Sequence, residues 1–257
     1  MKRIIILIAI IFFVVISKVS GQNEPMNSTI YPTGISLQYG MGNYSVKDEY
    51  ISNEKYSGTL PLFSFKWVRA HNKYIYKLEM DYRNSSEIIN YNVSTDIIQF
   101  SFNQGFLYPL KKRVFLNKDL FLWMGPSTEI LLFFNDPDIA VTGFDYAQSF
   151  AILISASYNT DTILQIKPNL LLESSLKLSI ISLGLRMVDS EEDDESTAKL
   201  LTLLSGLNSS FDLGMRYYIF SNLSVKLAYR SEIIRISSWE PLLSVSDNIA
   251  FGLHYKF

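Results

Sequence analysis

The sequence predicts an all-β chain: an antiparallel up-and-down transmembrane β-barrel of about ten strands. Three observations predict it. Apolar residues recur with a period of two, the apolar face is rich in aromatics while the opposite face is ionic, and the chain closes on an alternating segment ending at Phe257. The 257 residues are 48% hydrophobic, 14% aromatic and 19% charged, so the chain is not a disordered tail, and with no cysteine it is not a disulfide-stapled mini-protein. Its 23 Lys and Arg against 25 Asp and Glu lack the basic excess that phosphate neutralisation needs, which argues against nucleic acid as a partner.

Residues 1–21 read as a signal peptide. Met1-Lys2-Arg3 supplies a positive start, and Ile4 to Ile16 is an apolar run too short for an anchor helix. Val19 and Gly21 suit the small-residue cleavage positions. Removing this segment takes away Lys2, Arg3 and Lys18 and leaves a net charge of −5. Residues 22–257 carry no Pro/Gly/Ser linker and read as one barrel domain, able to cross an oxidising compartment without thiol mispairing.

Ten strands are expected near 30–44, 57–70, 73–84, 94–108, 117–134, 145–159, 170–187, 207–220, 223–236 and 246–257. The third is the cleanest: Tyr74, Tyr76, Leu78, Met80 and Tyr82 share one face, and Lys73, Lys77, Glu79, Asp81 and Arg83 the other. A two-residue turn at His71-Asn72 would set Trp67 opposite Tyr76, Phe65 opposite Leu78, Phe63 opposite Met80 and Lys66 opposite Lys77, with acidic neighbours needed to offset the two lysines. In the seventh strand the apolar parity switches between Ile180 and Ile181, the mark of a bulge. A three-residue link at Phe220-Ser221-Asn222 pairs Ile219 with Leu223, Met215 with Leu227 and Leu213 with Tyr229, and places Asp212 opposite Arg230 and Arg216 opposite Lys226. Links near 45–56, 85–93, 135–144, 188–206 and 237–245 are longer and polar; those near 109–116 and 160–169 are intermediate.

The face opposite the apolar parity carries Lys66, Lys77, Glu79, Asp81, Arg83, Glu129, Asp212, Arg216, Lys226 and Arg230. A soluble sandwich, the secreted alternative, buries its apolar faces between two sheets; here the apolar face is too aromatic and the polar face too ionic for that arrangement. A closed barrel in lipid turns Phe, Leu and Tyr outward and ions inward while its ladder satisfies every backbone group.

In the last strand Ile249, Phe251, Leu253, Tyr255 and Phe257 alternate with Asn248, Ala250, Gly252, His254 and Lys256. This ending resembles the C-terminal assembly signal of bacterial outer-membrane β-barrel proteins. The resemblance is specific over these residues and architectural over the rest. It implies an outer-membrane location in a Gram-negative cell, with lipid and the barrel-insertion machinery as partners, short links at the periplasmic end and long loops outside, where a surface ligand could bind.

No catalytic or metal site stands out, and no cofactor is implied. His71 reads as a turn residue; His254 faces inward near the terminus with no serine adjacent in sequence. Two distant histidines and no cysteine offer no zinc spacing. The run Asp189, Glu191, Glu192, Asp193, Asp194, Glu195 reads as a solvated loop, with divalent bridging to anionic surface lipid as the alternative. Leu200-Leu201 and Leu203-Leu204 read as a short helix or strand extension. Asn27, Asn43, Asn84, Asn92, Asn208 and Asn222 open Asn-x-Ser/Thr triplets that an Asn- and Ser-rich chain produces by chance. Glu129 with Asp212 is a loose pair for a surface hydrolase.

About ten strands enclose a lumen well below that of a water-filled porin, so opposite charges should pair across it and fill it, a narrow path being the alternative. The expected function is that of a scaffold, surface-interaction protein or narrow pore. Deleting Phe257, or replacing it with Asp, should leave export intact and lower the fraction of heat-modifiable protein in outer membranes; normal insertion would mean the terminal pattern is coincidental.

Overall fold

The computed structural model describes residues 31, 33–49, 52–71, 73–90, 93–110, 112–138, 148–189, 195–203, 205–237 and 241–257. The expected signal peptide and most of the acidic run lie outside the described residues. Among the described residues thirteen antiparallel strands form one sheet: β1 (Gly34–Asp48), β2 (Ser52–Thr59), β3 (Leu62–Ala70), β4 (Ile75–Asn90), β5 (Val93–Pro109), β6 (Arg113–Phe115), β7 (Lys118–Asp138), β8 (Gln148–Lys167), β9 (Leu170–Asp189), β10 (Glu195–Thr202), β11 (Gly206–Tyr218), β12 (Leu223–Ile236) and β13 (Leu242–Tyr255). Ten of them close a ring, β1-β3-β4-β5-β7-β8-β9-β11-β12-β13, sealed where β1 pairs with β13. The other three are extensions: β2 on β1, β6 on β7 and β10 on β9.

Following neighbouring positions from Val46 on β1 through Ser244, Ile234, Asn208 and Ser179, then Ser157, Ser127, Gly105, Lys77 and Val68, returns to β1 at Gly34, twelve residues lower. Ten strands with that stagger tilt by roughly 40° and leave a bore that side chains can span. The start of β1, the C-terminus and the short turns lie at one end, hereafter the terminal end; the other is the loop end.

The alternation survives into the structure. Along β13, Ile249, Phe251, Leu253 and Tyr255 are each more than half exposed on the outer face, while Asn248, Ala250 and His254 are buried inside. The bulge falls where the parity switch puts it. Ser179 pairs with Ser157 and Ile181 with Ala156, so Ile180 is the extra residue, and beyond it β9 exchanges β11 for β10 as its neighbour.

Two expectations need correction. The β3–β4 register is shifted by two residues: His71 N–H donates to the Tyr74 carbonyl at 2.8 Å, a longer turn forms, and Trp67 faces Leu78, Phe65 Met80, Phe63 Tyr82 and Lys66 Glu79. An even shift keeps every side chain on its face, and it replaces a Lys66–Lys77 repulsion by a Lys66–Glu79 attraction. The β11–β12 register stands as expected, with Asp212 opposite Arg230 and Arg216 opposite Lys226.

The strands also run further than their lipid-type pattern. The link near 160–169 shrinks to a turn at Pro168-Asn169, β4 and β5 consume most of 85–93, and β2, β6 and β10 occupy segments expected as loops. The reason is that toward the loop end the inner face turns apolar as well. There Tyr44, Val46, Tyr56, Ile88, Ile97, Leu131, Phe133, Leu153, Leu201, Ile234 and Leu242 pack inside the barrel as an apolar cluster. Leu201 thus belongs to a strand extension, not a helix.

Candidate functional site

The residues with chemistry gather in the middle of the lumen. Every inward position is set by strand parity, so each ion is delivered by the strand that carries it, and the narrow bore brings opposite walls within reach. Among the described residues eight cations (Lys66, Lys77, Arg83, Lys177, Arg186, Arg216, Lys226, Arg230) and eight carboxylates (Asp48, Glu79, Asp81, Glu129, Asp161, Glu173, Asp212, Glu232) are buried there or nearly so, and each has an ion-pair partner.

Many pairs cross the bore. Lys66 on β3 lies 3.0 Å from Glu79 of its neighbour β4 and 3.6 Å from Asp212 on distant β11. Lys77 on β4 donates to Asp161 on β8 at 3.0 Å. Arg83 reaches Glu232 on β12, and Gln99 on β5 donates to the same carboxylate at 2.7 Å. Arg230 returns the link from β12, donating to Asp81 at 2.8 Å and to Glu79. Toward the loop end Arg186 and Ser149 donate to Asp48, joining β9 and β8 to β1. Other pairs brace one side: Arg216 holds Glu173 through two donors, Lys226 donates to Asp212 at 2.9 Å, and Lys177 with Asn208 satisfies Glu129.

The ion partner is therefore not the residue opposite in the ladder. Asp212 faces Arg230 in register but is held by Lys226 and Lys66, and Arg230 is held from β4. The excess of Arg216, Lys226 and Arg230 over Asp212 on β11–β12 is offset by Glu232 and by carboxylates on other strands, so the described interior ions sum to zero. Glu129 and Asp212 are not brought together as a pair. Glu173, Lys177, Arg186 and Glu232 escaped the sequence reading although each lies opposite the apolar parity of its own strand, Arg186 once the bulge is counted. Asp48 and Asp161 lay in segments read as links.

At the terminal end a second apolar cluster closes the bore: Val68, Ile75, Leu107, Phe121, Trp123, Ile163 and Leu171, with Tyr31 inserted from the N-terminal side. The Tyr31 ring meets Trp123 edge-on at 4.9 Å and its hydroxyl donates to Asp161. Burial, then the adjacent carboxylate, pushes that hydroxyl well above the usual phenol range, so it stays a donor. Beside the ions lies a cavity of about 50 Å³ touching Ser36, Gln38, Lys66 and Arg216, room for a few waters.

His254 does have a serine beside it, supplied by the neighbouring strand. Its Nδ1 lies 2.7 Å from Ser36 Oγ and its Nε2 lies 3.0 Å from the Thr33 carbonyl. The pair is sealed inside the terminal end, His254 being 1% exposed, and both ring nitrogens are engaged, so it serves as a strand-to-strand tie. His71 stacks on Tyr74 at the turn. Asn208 is buried and bonded to Glu129, which excludes a glycan at that triplet. The terminal set Ile249, Phe251, Leu253, Tyr255 and Phe257 lines the outer face beside the seam with β1.

No protein-family model matches the chain, and no curated protein matches it. Solved structures do. The outer membrane protease OmpT of Escherichia coli aligns over 92% of this chain and 100% of its own, with a TM-score of 0.55 at 9% identity. The translocator domain of the autotransporter NalP of Neisseria meningitidis covers 89% and 91%, at TM-score 0.44 and 9% identity. Neisserial surface protein A covers 88% and 98%, at TM-score 0.38 and 13% identity. The chain thus has the fold of bacterial outer-membrane β-barrel proteins.

Asp212→Ala should lower the unfolding free energy by about 1–3 kcal/mol, because Lys226 and Lys66 lose a buried partner. A shift in melting temperature in detergent reads it, and an unchanged midpoint would show that the interior charges do not hold the walls.

Proposed function

We propose that the protein is an integral outer-membrane barrel acting as a sealed anchor and scaffold, its interactions made by the strand extensions and loops at the loop end. The fold's likeness to outer-membrane proteins and the exposed aromatic band support the location. One observation carries the sealed reading: a charge-neutral ionic layer, each of whose described ions has an ion-pair partner, lies between two apolar clusters, with a cavity of a few waters' volume among the ions. An ion entering from either end would have to cross an apolar layer, displace buried ion pairs and then cross a second apolar layer, at a cost of several kcal/mol. A pore needs the opposite arrangement, a wet lumen with charges left for the solute.

On this reading the residues at the lumen are structural, and the export signal and the terminal strand address the chain to the outer membrane and its insertion machinery. The protease activity of the OmpT neighbour does not carry over, since a likeness at 9% identity is one of fold. Stable insertion into planar bilayers should give no discrete conductance steps, with heat-modifiable mobility reporting the inserted fold. Reproducible steps from inserted protein would overturn the sealed reading.

A further inference from the structure

The rim of the terminal end is unevenly charged. Outside the lumen its described residues include seven cations against one acidic side chain, Asp119. Lys112 answers that carboxylate at 3.1 Å and lies over the Phe121 ring. Four of the others, Arg69, Lys73, Arg113 and Lys118, belong to the neighbouring β3–β4 and β5–β7 connections, whereas the described rim from β8 to β12 carries Lys167 alone. Arg69 follows Phe65 and Trp67 on the outer face of β3 and faces Tyr76 across the ladder. Arg113 faces Leu120, which shares the outer face of β7 with Lys118, and Lys73 is exposed in the turn.

Next to these cations, toward the loop end, the outer wall carries a shelf of aromatic rings. Tyr74 and Tyr76 on β4 meet Phe106 on β5 at 5.5 and 5.4 Å, Tyr76 meets Trp67 on β3 at 5.7 Å, and Tyr74 reaches Tyr108 at 6.4 Å. Beyond the shelf the same strands form a groove of about 510 Å³ in the outer wall, lined by Phe63, Phe65, Met80, Tyr82 and Phe100 and reaching Phe251.

From the loop end downward, β3 and β4 therefore present an apolar groove, then rings with polar tips, then cations. That is the order of acyl chain, glycerol region and phosphate in a phospholipid, and a protein ligand would impose no such order along the strands. Four cations with no acid among them favour a headgroup of net negative charge over a zwitterionic one. Three strand spacings, about 15 Å, separate Arg69 and Lys73 from Arg113 and Lys118, so each pair can hold its own phosphate. We propose that the outer wall of β3, β4 and β5, with the β6–β7 hairpin, binds anionic phospholipid of the leaflet at the terminal end, the cations holding phosphate and the rings and groove holding glycerol and acyl chain. This rests on the membrane reading above.

Trp67 stands in the shelf and reports its own lipid neighbours. Of the three tryptophans Trp123 faces the lumen, so a Trp239→Phe protein leaves Trp67 as the outward indole, and adding Trp67→Phe gives the background. The protein is inserted into vesicles of equal phosphatidylcholine and phosphatidylglycerol, with brominated acyl chains on one lipid or the other, and Trp67 quenching is measured. Quenching should be stronger by about twofold or more from brominated phosphatidylglycerol. Changing Arg69, Lys73, Arg113 and Lys118 together to Gln should abolish the difference with heat-modifiable mobility retained, and high salt should narrow it in the parent protein. Equal quenching from both lipids in the parent would overturn the site and leave the membrane reading intact. A preference indifferent to salt, or one that survives the fourfold change, would overturn it as well. Quenching from neither lipid would overturn the membrane reading and the site together.

Discussion

Closure of ten tilted strands into one ring is the constraint on which the rest of the structure depends. It pairs the backbone groups of the ring strands with their neighbours, and it leaves each side chain two choices, outward to the surroundings or inward to a bore too narrow for water to fill. Strand parity then does most of the sorting. A Phe or Leu at an outward position and a Lys or Asp at the next is favourable in lipid only if the inward ions find one another.

They do so at a distance in sequence and in the sheet. The Lys77–Asp161, Arg83–Glu232, Arg230–Asp81 and Arg186–Asp48 contacts join walls that no backbone ladder connects. Burying a charge without a partner is prohibitive, whereas a set in which each ion meets an opposite charge offsets much of that cost and fixes which wall faces which. The interior is thus specified by complementarity, while the apolar clusters at the two ends supply the burial that stabilises it.

Much of this was legible in the sequence because it is local. The period of two, the bulge at Ile180, the β11–β12 register and the inward direction of Lys66, Arg83, Asp212 and Arg230 follow from parity along one strand or across one short turn. The β3–β4 register was missed by two residues because parity is blind to an even slip, and the choice between Lys77 and Glu79 opposite Lys66 depends on the turn geometry at His71–Tyr74. The inner apolar cluster at the loop end is not legible because there apolar residues occupy inward as well as outward positions and the alternation that marks a lipid-spanning strand fades. Which cation meets which carboxylate was illegible, since those partners are set by the stagger of the whole ring. The serine beside His254 belongs to the same class: Ser36 lies 218 positions away and arrives only through closure.

The account's central claim is that cross-lumen ion pairs hold opposite walls of a filled barrel. A double-mutant cycle on Arg83→Met and Glu232→Gln tests it most directly, with unfolding free energies measured in detergent. The account predicts that each single change costs about 2–4 kcal/mol and that the double change costs at least about 1 kcal/mol less than their sum. Costs that add to within about 0.5 kcal/mol would contradict it, because residues that add independently do not bind one wall to the other.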